Sequence, residues 1–430
     1  YQSHAMRTLG FAMQQEDAEM IFLGVVAIAD PIRVDVPDAI YTCTKNAQVR
    51  VIIVTGDNKD TAAEIARLIG LLCDNEPYQQ LDGTQFAAMT DEELQEYLPT
   101  LKILSRAKPE DKSRLVMLLQ KMGEVVAVTG DGTNDALALS KAQVGISMGS
   151  GTARAKEASD ITIIDNSFAS INNAILWGRS LYLNIRRFIV FQMTINVCAC
   201  LIVLVGAFMG LDSPLTVTQM LWVNLIMDTF AAMALSSLPA DPKVMYDRPR
   251  SPKSHIIDRR MVAQMLGVGL GMFVLLFGLW QLLWHTDIST VSDLFTKENA
   301  TSFVRNFFDY THDKQHMNGT ELGVFFSTFV LLQFWNIFNV KYFRTDRSLL
   351  LDIIDSFRDR KKVSATYSKG FIFISLVILL GQVLIVQFAG PLFNVSPLTF
   401  SDWSVIILAT SLVLIIPEIV RGIRILVNRA

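Results

Sequence analysis

The chain has 430 residues, more than one ordinary domain holds, and its net charge of −3 averages two unlike halves. Residues 1–165 alternate short apolar runs with charged helical patterns, whereas long uncharged apolar runs follow Phe188. Cys43, Cys73, Cys198 and Cys200 have neither a disulfide framework's spacing nor a zinc site's, and no nucleic-acid partner is expected. No signal peptide precedes the first half, and a start at Tyr1 rather than Met points to a truncated protein.

In chain order, Leu23–Ala29 is a predicted strand ending at Asp30-Pro31-Ile32-Arg33. Val36–Asn46 is a helix with Pro37 in its first turn, where a missing N–H does no harm. Val49–Val54 is a strand closing on Thr55-Gly56-Asp57, followed by a helix through Ile69 that Gly70 stops. Thr84–Pro99 reads as surface helix and loop, and Leu101–Arg106 as a short strand. Pro109 then starts a helix through Met122 with Lys112 in its first turn. A cation there opposes the helix dipole, so Lys112 is either a solvated lysine or one aimed at a phosphoryl group.

Val125–Val128 is a second buried strand that turns at Thr129-Gly130-Asp131-Gly132, and Asn134-Asp135 open a helix over Ala136–Leu139. Gly145–Lys156 lacks the Lys-Ser/Thr ending of a nucleotide P-loop and reads as a turn feeding a helix over Thr152–Ala158, with Ile161–Ile164 as the last strand. The sequence therefore writes one sentence twice, VIIVTGDNKDTA and VVAVTGDGTNDA. Two strands closing on Thr-Gly-Asp place both tips on one edge of a parallel α/β sheet, where such folds bind ligands. Asp131 and Asp135 offer hard oxygens there to a Mg²⁺, which takes one or two carboxylates plus phosphate. A capped βα turn is the plainer reading of either motif alone.

Six apolar segments have the length of membrane helices, at about 187–211, 215–238, 261–284, 323–343, 370–389 and 403–420. Lys243, Arg248, Arg250, Lys253, Arg259 and Arg260 crowd the second link. Lys341, Arg344, Arg347, Arg358, Arg360, Lys361, Lys362 and Lys369 fill the fourth. The links around Asp212-Ser213-Pro214 and Pro391–Asp402 have neither Lys nor Arg, which puts the basic links, the α/β half and the C-terminus in the cytosol. The helix from about Phe168 through Arg186-Arg187 enters the first segment without an evident break and makes a stalk. Polar groups inside the apolar runs mark ion paths or interhelical glue: Asn196, the pair Asn224 and Asp228 at i and i+4, then Gln333, Asn336 and Asn339. A carboxylate at the depth of Asp228 needs a cation or a proton, whereas Glu418 lies within reach of Arg421 or Arg424 and reads as structural.

These residues resemble the C-terminal part of a P-type cation-transporting ATPase. The matching motifs are Thr55–Asn58 (TGDN), Thr129–Asp135 (TGDGTND), Lys108–Lys112 (KPEDK), Gly145–Asp160 (GISMGSGTARAKEASD) and Leu221–Asp228 (LWVNLIMD). Within the family the chain is most similar to the calcium pumps of plasma-membrane type. Ala199, Met227 and Gln333 stand where the sarcoplasmic type has Glu, Thr and Glu. The resemblance implies a haloacid dehalogenase-like α/β phosphorylation domain over 21–167, after a residual edge of the nucleotide-binding domain at 1–20. A stalk at 168–187 and a six-helix transmembrane domain at 187–430 follow. It implies that Asp131 holds Mg²⁺ with Asn134 and Asp135 in support, and that Thr55 and Gly56 bind phosphoryl oxygens. Asp57 then orients groups around the phosphate and Lys112 neutralises charge during transfer.

It further implies one Ca²⁺ site built from Asn224 and Asp228, with Asn196 in the same path and a Glu from an earlier helix, and a protein embedded in membrane lipid, the plasma membrane by similarity. No DKTG motif carrying the phosphorylated Asp occurs here, so ATP acts through an N-terminal part of the pump outside this sequence, and the chain alone is expected to be inactive. A pump for another cation such as Mn²⁺ or Na⁺, a membrane-anchored phosphatase and an inert membrane scaffold are the alternatives.

Overall fold

A computed structural model describes residues 6–14, 19–28, 31–72, 78–210, 213–296, 316–345 and 369–427, with the separate positions 299, 301, 348 and 349. Asp30 of the Asp-Pro-Ile-Arg motif, Cys73, Asp212, and Arg347, Arg358, Arg360, Lys361 and Lys362 of the basic link lie outside the described residues. Two compact units emerge, Tyr1–Arg179 with Asp241–Ser254, and Ser180–Ala240 with His255–Ala430.

The first unit opens with an antiparallel hairpin of β1 (Arg7–Met13) and β2 (Ile21–Ile28). It spans the domain boundary expected at residue 20 and takes the Leu23–Ala29 strand out of the parallel sheet. Phe11, Phe22 and Leu23 stand 49%, 67% and 59% exposed, so the hairpin joins no core among the described residues. Next come α1 (Val36–Tyr41), which continues as a π-turn over Thr42–Asn46, β3 (Ile53–Val54) and α2 (Lys59–Leu68). The Asn58 side chain caps α2 by accepting from the Thr61 N–H at 2.9 Å. The polar stretch 84–99 holds α3 (Gly83–Ala88) and α4 (Asp91–Tyr97), both opened by capping boxes, after the short strand β4 (Gln79–Asp82). β5 (Leu101–Ser105) follows, with Leu101, Ile103 and Leu104 fully buried, and then α5 (Pro109–Lys121).

β6 (Ala127–Gly130) leads through a 3₁₀ turn at Thr133–Asp135 into α6 (Ala136–Lys141). β7 (Val144–Met148), α7 (Ala153–Glu157) and β8 (Ile161–Ile163) complete the α/β part. The first residues of the Gly145–Lys156 stretch are thus strand rather than turn. Gly145 permits this, since a Cβ on it would stand 2.7 Å from the Leu139 carbonyl oxygen.

All strand pairs after the hairpin are parallel, but they form two sheets, ordered β3-β5-β4 and β6-β7-β8. The expectation that both Thr-Gly-Asp tips end one continuous sheet is corrected here. β3 pairs on one side only, with β5, and β6 on one side only, with β7. Each is an edge whose second row of N–H and C=O groups has no strand partner among the described residues, and both strands are partly exposed, unlike β5.

The Asp241–Ser254 part of the link between the second and third membrane segments belongs to this unit. A 3₁₀ turn at Pro242–Tyr246 is held by the Arg179 guanidinium, which donates to the carbonyls of Val244 (3.1 Å), Met245 (3.2 Å) and Asp247 (2.9 Å), and to that of Ala47 (2.7 Å). One planar five-donor fork thereby joins this link to the end of the π-turn after α1.

The second unit is helical. α8 (Phe168–Met209) runs unbroken for 42 residues and contributes to both units. After it come α9 (Val217–Leu221), a π-helix over Trp222–Met227, α10 (Asp228–Ser236) and α11 (Arg259–Trp284). α12 (Gly319–Lys341), α13 (Lys369–Phe388), the short α14 (Gly390–Phe393) and α15 (Phe400–Val427) complete it. Among the described residues six helices are long and apolar enough to cross a membrane, with α9, the π-helix and α10 counted as one span. α12 is the centre, with 78% of its span buried against 22–39% for the others.

Its polar residues serve the packing. Trp335 donates to Thr410 Oγ1 at 3.0 Å, and Asn339 Nδ2 donates at 2.8 Å to the Val413 carbonyl, which Pro417, lacking an N–H, cannot engage. Arg421 donates to the other end of the Asn339 amide and pairs with Glu418 at 3.4 Å. At one end of the bundle Asp258 caps α11 and accepts from both Arg186 of α8 and Arg344 beyond α12.

Replacing Arg179 by Ala is expected to leave its four carbonyls without their donor and free the second link. Trypsin should then cut after the exposed Arg250 roughly tenfold faster, as a loss of about 1.4 kcal/mol in local opening implies. Timed proteolysis of the detergent-solubilised chain, followed by mass spectrometry, measures this; equal cleavage rates would contradict it.

Candidate functional site

Two polar constellations stand out, one in each unit. In the first unit the tips of β3 and β6 carry the paired motifs. Thr55 is fixed by its N–H to the Leu104 carbonyl (3.0 Å), and its own carbonyl accepts from the Ala107 N–H (2.9 Å). Its hydroxyl donates to Asp57 Oδ2 at 3.0 Å while accepting from the Asp57 N–H at 3.1 Å. The Asp57 carboxylate is therefore folded back onto Thr55. Gly56 between them is exposed, and a Cβ on it would meet nothing within 4 Å.

At the β6 tip, Gly130 is required by packing, since a Cβ there would stand 2.4 Å from that of Asp135. The close approach lets Asp135 Oδ2 accept from the Gly132 N–H at 3.2 Å. Asp135 Oδ1 takes the Lys112 ammonium at 2.7 Å, in a pair whose side chains are 13% and 21% exposed. Lys112 is thus neither a solvated lysine nor free: it reaches from the start of α5 to the turn after β6. The Asp131 main chain is pinned by the Thr152 N–H donating to its carbonyl at 2.8 Å, and Gly151 keeps the gap open, 3.1 Å from that same oxygen at its notional Cβ.

The Asp131 carboxylate itself is exposed and has no hydrogen-bond or ionic partner among the described residues; nor has the side chain of Asn134. A Mg²⁺ fits this donor set. One free carboxylate is at hand, a second is held by a lysine, and no group of three acidic, His or Cys ligands exists among the described residues. That is the sparse provision of a hard cation that shares its shell with water and phosphate.

In the second unit, Asp228 is 4% exposed and turned inward. Its Oδ2 accepts from Gln192 Nε2 of α8, and its Oδ1 has no partner. Asn224 and Asp228 do not share a face as a regular helix would place them. The intervening turn is π, with the Asp228 N–H bonded to the Val223 carbonyl five residues back. Asn224 is exposed while Asp228 is buried. Asn196 is half-buried, and neither asparagine hydrogen-bonds to Asp228 among the described residues.

Residues 212–423 match the family model for the C-terminus of cation transporting ATPases. Residues 6–143 match that of the haloacid dehalogenase-like hydrolases. Calcium-transporting ATPase 2 of Schizosaccharomyces pombe is 38% identical over 400 residues, 91% of this chain and 28% of that protein. Plasma membrane calcium-transporting ATPase 4 of Bos taurus is 36% identical over 405 residues, 90% of this chain and 31% of that protein. Calcium-transporting ATPase 8, plasma membrane-type, of Arabidopsis thaliana is 36% identical over 391 residues, 90% of this chain and 33% of that protein. The chain belongs to the cation-transporting ATPases.

It spans about three-tenths of the length of the curated relatives it matches. It is a multi-pass membrane protein of this family whose α/β unit is haloacid dehalogenase-like. Sequence reasoning missed Gln192 and Arg179. Arg179 has only main-chain acceptors, which leave no trace in side-chain identities. A glutamine inside an apolar run was the available signal for Gln192.

Gly130→Ala is expected to cost ~1–3 kcal/mol by overpacking against Asp135, lowering the melting temperature by a few degrees. Gly56→Ala, at an open position, should melt within about a degree of the parent. Scanning calorimetry on both variants decides, and equal shifts would remove the packing role given to Gly130.

Proposed function

We propose that this chain is the C-terminal part of an ATP-driven Ca²⁺ exporter that alternates between phosphorylated and unphosphorylated states. The observation that carries this reading is the pair of unpartnered strand edges, β3 and β6, each ending in Thr-Gly-Asp. A parallel strand inserted between them would join the sheets and bring its own C-terminal end beside both tips. That is the place for the aspartate that accepts phosphate, on the N-terminal part of the pump. The uncovered apolar hairpin β1–β2 supports the same view, because burying one such side chain gains ~1.5–3 kcal/mol.

In the phosphoryl step, Asp131 would hold Mg²⁺ with Asn134 beside it, and Asp135 in support. The metal would supply charge neutralisation at the phosphate oxygens. Thr55 and Gly56 would bind the transferred group through hydroxyl and main-chain N–H, with Asp57 holding the Thr55 hydroxyl oriented. Lys112, held by Asp135 at 2.7 Å, would face the same group and offset its charge as it arrives. α8 would carry the resulting movement toward Asn196, Asn224 and Asp228, where about one Ca²⁺ per cycle is bound, with a carboxylate from an earlier helix completing the shell. The basic links put the α/β unit in the cytosol, and the named relatives favour the plasma membrane. A membrane phosphatase is disfavoured because the relatives are named calcium-transporting ATPases.

The test uses membranes containing the complete pump and radiolabelled ATP. Micromolar Ca²⁺ should give an acid-stable phosphoprotein, Asp131→Asn should reduce its formation at least about a hundredfold, and the 430-residue chain alone should give none. Phosphorylation of the complete pump that is indifferent to Ca²⁺ would overturn the reading in favour of another cation.

A further inference from the structure

The hydrogen bond between Gln192 and Asp228 differs from those of Asn339 in joining an amide to a buried carboxylate, with one oxygen left over on each side chain. Asn339 has both ends of its amide engaged, one by Arg421 and the other by the Val413 carbonyl, as a residue that only fastens helices should. Gln192 donates its Nε2 to Asp228 Oδ2, yet Gln192 Oε1 and Asp228 Oδ1 are both buried and without a hydrogen-bond partner. Two unmatched oxygens on two side chains already bonded to each other are costly in an apolar interior, unless a cation joins them. Asn196 lies one turn further along α8 on the same side as Gln192, half-buried and also without a hydrogen-bond partner among the described residues.

We propose that Gln192 is a ligand of the transported cation, exchanging its hydrogen bond to Asp228 for a bond from its own amide oxygen to the ion. The inference rests on the reading of Asp228 as a ligand of that ion. In the structure the amide presents its nitrogen to the carboxylate, the only polarity that attracts. When a divalent cation reaches Asp228, the same nitrogen would oppose it. Rotation about the last side-chain torsion, which is broad and roughly two-fold, turns the oxygen inward instead. The site then has the Gln192 amide oxygen, both Asp228 oxygens and the Asn196 amide within one stretch of two neighbouring helices. A hard cation that prefers six to eight oxygens gains a neutral donor in this way, with no further carboxylate to desolvate. After release, the return of the N–H to Asp228 keeps the empty carboxylate matched on one side.

The experiment measures phosphorylation of the complete pump in membranes, forward from ATP and in reverse from inorganic phosphate without Ca²⁺. Gln192→Leu should raise the Ca²⁺ concentration for half-maximal phosphorylation from ATP about tenfold or more, the loss of one ligand. The Ca²⁺ needed to suppress the phosphate reaction should rise in parallel. Gln192→Glu, which keeps an oxygen in place, should restore Ca²⁺ sensitivity. A Gln192→Leu pump with Ca²⁺ dependence within about twofold of the parent would overturn the proposal. Should the leucine variant fail to accumulate, Gln192→Asn, whose amide is drawn back by one methylene, must still show a rise of about threefold, and no rise would also overturn it. Asp228→Asn serves as the separate control: Ca²⁺ activation that survives it refutes the reading of Asp228, whereas its loss beside a normal Gln192→Leu refutes the ligand role of Gln192 alone.

Discussion

One buried carboxylate, with a hydrogen bond on one oxygen and nothing on the other, is the constraint the helical unit is built to tolerate. An ionisable group at the depth of Asp228 is expensive, and it survives only where neighbours or a passing ion compensate it. The bundle supplies an amide from α8 and a π-turn just ahead of it, which spoils the regular helix where the carboxylate enters the interior. Around that point the packing is ordinary. α12 sits among its neighbours with the Asn339 amide and the Trp335 indole spent on α15, Asn339 taking the Val413 carbonyl that Pro417 leaves without a donor.

The α/β unit poses the complementary problem. Its charged side chains are arranged, but its sheet is divided. Lys112 and Asp135 come from different elements and hold each other across the start of α5 and the turn after β6, so the geometry of this tip does not wait for a substrate. Asp131 and Asn134 have no side-chain partner among the described residues. The tip is arranged before any ligand arrives, while the second edge of β3 and of β6 has no strand partner among the described residues. The Arg179 guanidinium adds a second feature, tying a link between two membrane segments onto the α/β unit through main-chain carbonyls alone.

Much of this was legible from residues. The doubled Thr-Gly-Asp strands, the helix started by Pro109, the membrane segments and the unbroken α8 follow from periodicity, capping and apolar length, which are local signals. What could not be read was non-local. Neighbouring in sequence pattern does not make β3 and β6 neighbours in a ladder, and hydrogen-bond partners of strands carry no side-chain code. The i and i+4 relation of Asn224 and Asp228 assumed a regular turn, and the π-turn at Trp222–Met227 has no distinctive composition to announce it. Lys112 was ambiguous because its partner lies 23 residues away, after another strand. Gly145, by contrast, hid a strand inside what looked like a glycine-rich turn, because close approach to the Leu139 carbonyl requires its missing side chain.

The central claim is that the inward-facing carboxylate of Asp228 is where the transported ion sits. Equilibrium binding of radioactive Ca²⁺ to the purified complete pump, counted per phosphorylatable site, tests it without relying on turnover. About one ion per site in the parent protein, and none above background in Asp228→Asn at the same free Ca²⁺, is the predicted result. Undiminished binding in that variant would contradict the account.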